Sequence, residues 1–289
     1  MRSVVVTGVS TGIGWSTAKE LLAGGFRVFG SVRRAEDAER LAAELGAGFT
    51  PLTFDITEAD AVAAAAATVG EALAGGRLAG LVNNAGVAVP GPLTELPVEE
   101  FRRQVEINLT GQLVVTRAFA PLLGTDPGRH GPPGRIVMMS SVSGRAGMPF
   151  LGPYAASKHA LEGLSESLRR ELILFGIDVI IIAPGTIATP IWRKAEAIDV
   201  EPYAASPYYP AALRLKERMV KFGVTGLPPE RVGELVRHAL TTARPRVRYT
   251  IRPDPLNGLI LGLLPRRWLD RLIARRLGLE RRMPAPGAD

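Results

Sequence analysis

The sequence predicts one α/β domain built on a doubly wound parallel sheet with helices on both faces, and three observations lead there. β-branched runs alternate with amphipathic helical stretches as far as about residue 184. Two of the runs, Val4-Val5-Val6 and Ile180-Ile181-Ile182, are apolar without interruption, as strands covered on both faces are, whereas a strand with one wet face alternates. A glycine-rich segment lies between the first run and the first helix, beyond the carboxyl end of a strand, where such sheets bind their ligands.

Taken in order, residues 4–7, 27–31, 50–54, 78–82, 135–140 and 179–183 read as strands. After the first, Ala18, Leu21 and Leu22 recur at helical spacing while Lys19 and Glu20 turn outward. Residues 62–69 form a second helical stretch whose alanine run, 63–67, is explained by the small entropy that alanine loses in a helix. Residues 101–123 make a long helix, and the Gly/Pro-rich 124–134 a solvent loop before the fifth strand. A Pro- and Tyr-rich stretch from 184 to 210 interrupts the alternation. The domain is expected to occupy residues 1–255, with a substrate lid around 190–225 and a C-terminal helical extension, 256–289, packed on the same domain.

Composition removes several classes of function. With 289 residues, 46% of them apolar, the chain is an ordinary globular protein. It has no cysteine, so disulfides, thiolate nucleophiles and thiolate metal sites are absent, and His130, His159 and His238 are too scattered to suggest a metal. Arg2 and the three valines behind it resemble a short leader, but the glycines and then Lys19 and Glu20 break the run, so it reads as a strand. The late apolar stretch 256–264 is far shorter than the roughly 20 residues that span a bilayer. A cytoplasmic location is expected.

The net charge of +7 sits in the tail: residues 244–289 carry eleven Arg against four acidic residues, and the remainder balances. Arg266, Arg267, Arg271, Arg275 and Arg276, interleaved with Leu, Ile and Trp between 259 and 279, read as a basic amphipathic helix. Packing on its own domain or a partner subunit is favoured over docking on anionic lipid. Without a DNA-reading motif, clustered Arg gives only salt-dependent attraction, and no nucleic-acid partner is expected.

The residues that carry chemistry fall at strand ends. In Thr7-Gly-Val-Ser-Thr-Gly-Ile-Gly14, Gly8 permits a tight turn while Gly12 and Gly14 let backbone approach a pyrophosphate at the positive end of the helix. Ser10, Thr11 and Ile13 complete that cradle. The spacing Gly-x-x-x-Gly-x-Gly resembles the short-chain dehydrogenase/reductase family, and further matches follow in order. Asp55 at the end of the third strand, with Ile56 beside it, matches the family's adenine site, although Asp55 is equally suited to cap the helix starting near Thr57. Asn83-Asn-Ala-Gly86 resembles the family's Asn-Asn-Ala-Gly signature, which implies cofactor contacts from Asn83, Ala85 and Gly86; a plain chain turn is the alternative. Pro184-Gly-Thr-Ile-Ala-Thr189 resembles its Pro-Gly segment, implying carboxamide contacts around Pro184, Gly185, Ile187 and Thr189.

Ser141, Tyr154 and Lys158 match the family's catalytic set in order and spacing, and Asn108 makes a fourth. On a helix Tyr154 and Lys158 share a face, so a cation should stand near the phenol and lower its pKa toward neutrality. The resemblance implies that Ser141 binds the substrate oxygen, Tyr154 exchanges its proton, Lys158 also holds the nicotinamide ribose, and Asn108 positions a water behind Lys158. After the second strand Val32 stands where NAD-preferring relatives carry an acid, and Arg33 follows. A guanidinium fork suits a phosphate, so NADP is the expected cofactor, with NAD the alternative. Arg33 and Arg34 at the start of a solvated helix would explain the same residues without a cofactor.

Substrate identity lies outside these motifs. Val87, Val89, Met148, Phe150 and Leu151 are apolar, which favours an apolar alcohol or ketone. Residues 149–168 resemble the hydroxysteroid and retinol dehydrogenase branch, implying steroid-like or retinoid-like substrates. Ile191, Trp192, Tyr203, Tyr208 and Tyr209 serve equally as a lid or as surface packing. The family implies a homodimer or homotetramer. The rival from another class is a non-catalytic, dinucleotide-sensing regulator on the same fold.

Overall fold

The computed structural model describes residues 1–189, 199–254 and 264–280. Seven parallel strands form one sheet in the order β3-β2-β1-β4-β5-β6-β7. They are β1 (Ser3–Val6), β2 (Arg27–Val32), β3 (Phe49–Thr53), β4 (Gly80–Asn83), β5 (Arg135–Met139), β6 (Asp178–Pro184) and β7 (Arg248–Ile251). The chain winds outward from β1 through β2 to β3, then returns to place β4 on the other side of β1. Strand order therefore reverses between β1 and β4, and the register that sets Val6 beside Val82 brings their carboxyl ends together.

The side chains of β1 show why both faces are covered. Val4 and Val6 enter one core with Ala18, Leu21, Val232 and Val236, from α1 (Gly12–Ala23) and α8 (Glu230–Thr241). Val5 enters the opposite core with Val62, Phe119 and Leu161, from α3 (Ala59–Ala72), α5 (Gly111–Ala120) and α6 (Gly152–Glu171). All three valines are fully buried, which at about 1.5–3 kcal/mol per side chain makes this strand the anchor of the sheet.

Two elements differ from the sequence reading. The helix expected over 101–123 is α4 (Val98–Val105) and α5 joined by a π-helical turn, Glu106–Thr110, with a second such turn at Pro121–Thr125. β7 was not expected. It is an edge strand whose residues stay partly exposed, so its short Arg-Tyr-Thr-Ile run lacks the apolar continuity of a central strand. The helix that follows Arg34, α2 (Ala35–Leu45), is the solvated one offered as the alternative reading of Arg33 and Arg34.

The basic extension does form a helix, α9 (Arg266–Leu277), lying on α7 (Tyr209–Thr225). Leu277 is 1% exposed and clusters with Ile273, Phe150, Leu215 and Met219. Arg214 Nε and Arg218 Nη2 each donate at 3.0 Å to the carbonyls of Leu277 and Arg276, satisfying the end of α9. Arg266, Arg267, Arg271 and Trp268 face outward. No described helix is long and apolar enough to cross a membrane. Ile191 and Trp192 lie outside the described residues.

Candidate active site

The turn after β1 closes on itself through backbone contacts that only glycine permits. Gly8 has φ of +71°, and its amide donates to Ser31 Oγ at 3.1 Å. A Cβ on Gly14 would stand 2.1 Å from the Gly8 carbonyl oxygen. Thr11, at the N-cap of α1, makes no side-chain capping bond, and the first turn holds no acidic residue. A positive helix end left uncapped by its own side chains, behind a turn free of Cβ atoms, fits a dinucleotide pyrophosphate.

Two residues outside the expected set tie this turn to β4. Asn84 Nδ2 donates to the carbonyls of Thr7 and Gly8 at 2.9 and 3.1 Å. Thr7 Oγ1 accepts from the amides of Asn84 and Ala85 at 2.9 and 3.0 Å. Asn83 points the other way: its Nδ2 donates to Thr116 Oγ1 at 2.8 Å, inside the core. Ala85 and Gly86 lie at the cleft, where a Cβ on Gly86 would meet Asn108 Oδ1 at 3.1 Å and Lys158 Nζ at 3.9 Å.

At the opposite margin, Asp55 Oδ1 accepts from the Thr57 amide and hydroxyl at 3.0 and 2.8 Å, the local turn that the sequence left open. Its Oδ2 lies 4.0 Å from the guanidinium of Arg33, which is 68% exposed. Ile56 is buried against Gly111, leaving only its backbone for a ligand. Arg34 pairs with Asp37, and Arg40 donates to the Ser10 carbonyl at 2.8 Å.

The chemical residues gather at the ends of β4, β5 and β6 around the start of α6. Ser141 caps a short turn, Val142–Gly144: its Oγ accepts from the Ser143 amide at 3.1 Å and reaches the Pro184 carbonyl at 3.4 Å. The same hydroxyl shares a hydrogen bond with Tyr154. Lys158, one turn along α6, is buried; its Nζ donates to the Met139 carbonyl at 2.7 Å and lies 5.8 Å from the centre of the Tyr154 ring. Burial lowers the Lys158 amine to about 8, so it is cationic at neutral pH and sheds its charge just above.

The expected effect of Lys158 on Tyr154 is corrected here. Burial pushes the phenol up, and only the Ser141 hydrogen bond pulls it back. The physical reason is placement: the amine sits over the ring and is drawn to a strand-end carbonyl, and desolvation of the phenolate outweighs it. Asn108 has partners on both sides of the cleft. Held in the π-helical turn, it accepts from the Val87 amide at 2.8 Å and donates to the Val87 carbonyl and Ser157 Oγ at 2.9 and 3.1 Å. It thereby fastens the chain after β4 to α6, and π-helical turns recur at functional sites because they displace the backbone from the helical ladder.

Beyond β6 the Pro184–Thr189 stretch is pinned from outside: Gly185 donates to Ile251 at 2.7 Å and Ala188 to Leu227 at 2.8 Å. Ile187 is buried and Thr189 partly exposed. Phe150, four residues before Tyr154, has φ of +65°, a strained conformation for an aromatic residue. Its ring packs edge-on to Tyr208 at 6.0 Å. With Pro90, Val200, Tyr203, Leu215 and Met219 it lines a pocket, to which Lys216 adds one charge.

Compared with known proteins, the chain matches the family model for short chain dehydrogenases over residues 2–199. It is 37% identical to an NADPH-dependent 3-dehydrocapnine reductase of Ornithobacterium rhinotracheale, across 96% of this chain and 98% of that one. It is 32% identical to human 17-beta-hydroxysteroid dehydrogenase type 6, across 95% and 88%. A short-chain dehydrogenase structure from Streptomyces avermitilis superposes with a TM-score of 0.75 at 25% identity, covering 100% of this chain and 98% of that one.

Proposed function

We propose a catalytic arrangement for this chain, which belongs to the short chain dehydrogenase family and is an NAD(P)-dependent oxidoreductase of small-molecule alcohols or ketones. The observation that carries it is the gathering of the Ser141 hydroxyl, the Tyr154 phenol that it favours in ionised form, and Lys158 one turn along the same helix. When bound, the nicotinamide supplies or accepts the hydride. Ser141 and Tyr154 together hold the substrate oxygen, and Tyr154 passes its proton to it. The raised pKa keeps the phenol protonated at neutral pH, which suits it to act as the acid in carbonyl reduction. Lys158, cationic at that pH and one turn behind Tyr154 on α6, would hold the nicotinamide ribose. Asn108 acts through the Val87 segment and α6.

The cofactor's pyrophosphate would lie on Gly8, Ser10, Thr11, Gly12, Ile13 and Gly14. Asp55 and Ile56 would face the adenine; Ala85 and Gly86, with the backbone of Asn83, the adjoining ribose. Pro184, Gly185, Ile187 and Thr189 would hold the carboxamide. NADP is supported by the exposed Arg33 and by the NADPH-dependent relative. An apolar ketone or secondary alcohol of the steroid, retinoid or lipid kind matches the apolar side chains gathered around Phe150. The regulatory alternative gains nothing from these residues, since sensing a dinucleotide needs no buried acid/base set.

Residues 1–255 are read as the catalytic domain, with a lid near 190–225 and α9 as its clasp. Because the apolar side of α9 is already occupied, no sedimentation with anionic liposomes is expected even at low salt. Cytoplasmic placement and a homodimer or homotetramer complete the reading; light scattering gives the assembly. The decisive experiment is Tyr154→Phe, screened with NADPH and NADH against a ketosteroid, retinaldehyde and a long-chain ketone. Turnover should vanish while the affinity for NADPH, read by fluorescence titration, stays at the wild-type value. Retained turnover sinks the mechanism.

A further inference from the structure

Glu162 follows Tyr154 and Lys158 at the same four-residue interval on α6, so the three side chains lie along one face of the helix. Its carboxylate is buried, yet it touches neither Tyr154 nor Lys158 and has no part in the mechanism above. Instead it gathers three separate pieces of chain. Oε1 accepts from Ser140 Oγ at 3.0 Å, at the end of β5. Arg248 of β7 grips it with a fork, Nη2 to Oε1 at 2.8 Å and Nε to Oε2 at 3.1 Å. Arg145, just beyond the Ser141 turn, donates to Oε2 at 3.2 Å. Gly144 permits the approach, since a Cβ there would come within 2.6 Å of both Glu162 Oε1 and Ser140 Oγ.

We propose that Glu162, held by Arg248, is a positioning residue that sets Ser141 against Tyr154. The connection is short and covalent at one step: the carboxylate fixes Ser140, and Ser140 is the residue before Ser141. On the other side, Arg145 fixes the exit of the turn that Ser141 caps. The phenol and Ser141 thus stand on two elements, α6 and the end of β5, that a single carboxylate cross-links about two turns along α6 from Tyr154. A buried carboxylate facing two guanidiniums is costly to desolvate and rewards good geometry, and geometry is what the serine and phenol require.

The inference rests on Ser141 and Tyr154 being the reacting pair, so Tyr154→Phe accompanies each measurement. Two variants probe the link. Glu162→Gln keeps the shape and removes the charge; Ser140→Ala removes the hydroxyl that meets Glu162 Oε1 at 3.0 Å and, more weakly, the Ser141 carbonyl at 3.5 Å, and leaves the Glu162–Arg248 pair intact, so it should fold even where Glu162→Gln does not. Both should lower kcat about tenfold or more with little change in NADPH affinity, because misplacement of a reacting group is felt in turnover. The Tyr154 phenolate, followed by ultraviolet difference absorbance with Tyr154→Phe as blank, should titrate at higher pH in both variants as the Ser141 contact loosens, a readout that needs no substrate. If Ser140→Ala keeps the wild-type kcat and phenolate titration, Glu162 only braces β7 and the proposal is overturned. If Tyr154→Phe keeps wild-type turnover, the underlying reading has failed instead.

Discussion

Val32 and Arg33 stand side by side at the end of β2 in opposite circumstances, the valine 3% exposed and the arginine projecting into solvent beside Asp55. A guanidinium there is free to meet a phosphate on the adenosine ribose, and Arg33→Asp should weaken NADP binding by about 1.5–3 kcal/mol, the range for a charge-assisted contact, while NAD gains relative to it. Fluorescence titration with both nucleotides checks the switch; an unaltered ratio removes Arg33 from cofactor choice. Lys158 gives a second residue-level expectation. The unfolded chain holds this proton up to about 10.4, the native state only to about 8, so between those values the unfolded form binds more protons and stability rises with pH. Below about 8 the penalty is full, on the order of 3 kcal/mol. Urea midpoints should therefore show Lys158→Met gaining on the wild type at pH 7 and losing that advantage progressively between about pH 8 and about pH 10.4.

The residues readable in advance are those whose partners are near in sequence or whose spacing forms a motif: the glycine turn, Ser141, Tyr154 and Lys158. Asn83 and Asn84 could not be separated that way. They sit on opposite sides of a strand end, and only the register of β4 shows that Asn84 holds the glycine turn while the side chain of Asn83 faces the core. Glu162 was illegible because Arg248 is 86 residues distant, on a strand with no apolar run to announce it.

At the scale of elements, strand positions followed from β-branched runs because both faces of the sheet are covered, while β7 and the π-helical turns did not. A one-residue change of helical pitch leaves the apolar periodicity of 98–120 nearly intact, so nothing in the pattern marks Asn108 as lying in a different ladder. The junction of β1 and α1 allows a sharper prediction. Gly14→Ala would force a Cβ into the Gly8 carbonyl, and the helix must move away from the turn. A loss of about 1–3 kcal/mol in stability is expected, by thermal or urea unfolding, together with loss of nucleotide binding by titration. If both survive, the turn is not the cofactor's seat.

Over the whole molecule, one parallel sheet brings the motifs together at the carboxyl ends of its strands, and a separate cluster outside it joins Phe150, α7 and α9. Leu277→Ala should cost about 2–5 kcal/mol, as for a fully buried leucine, measured by urea unfolding; a near-neutral result would mean that α9 is not seated on α7. The last described helix and the strained aromatic four residues before Tyr154 thus share one set of packing neighbours, although 127 positions separate Phe150 from Leu277. Two proteins with the same glycines, serine, tyrosine and lysine could accept quite different carbonyl compounds if their final helices differ. Grafting that helix from one onto another is the direct way to exchange their preferences without disturbing the grip on the nucleotide.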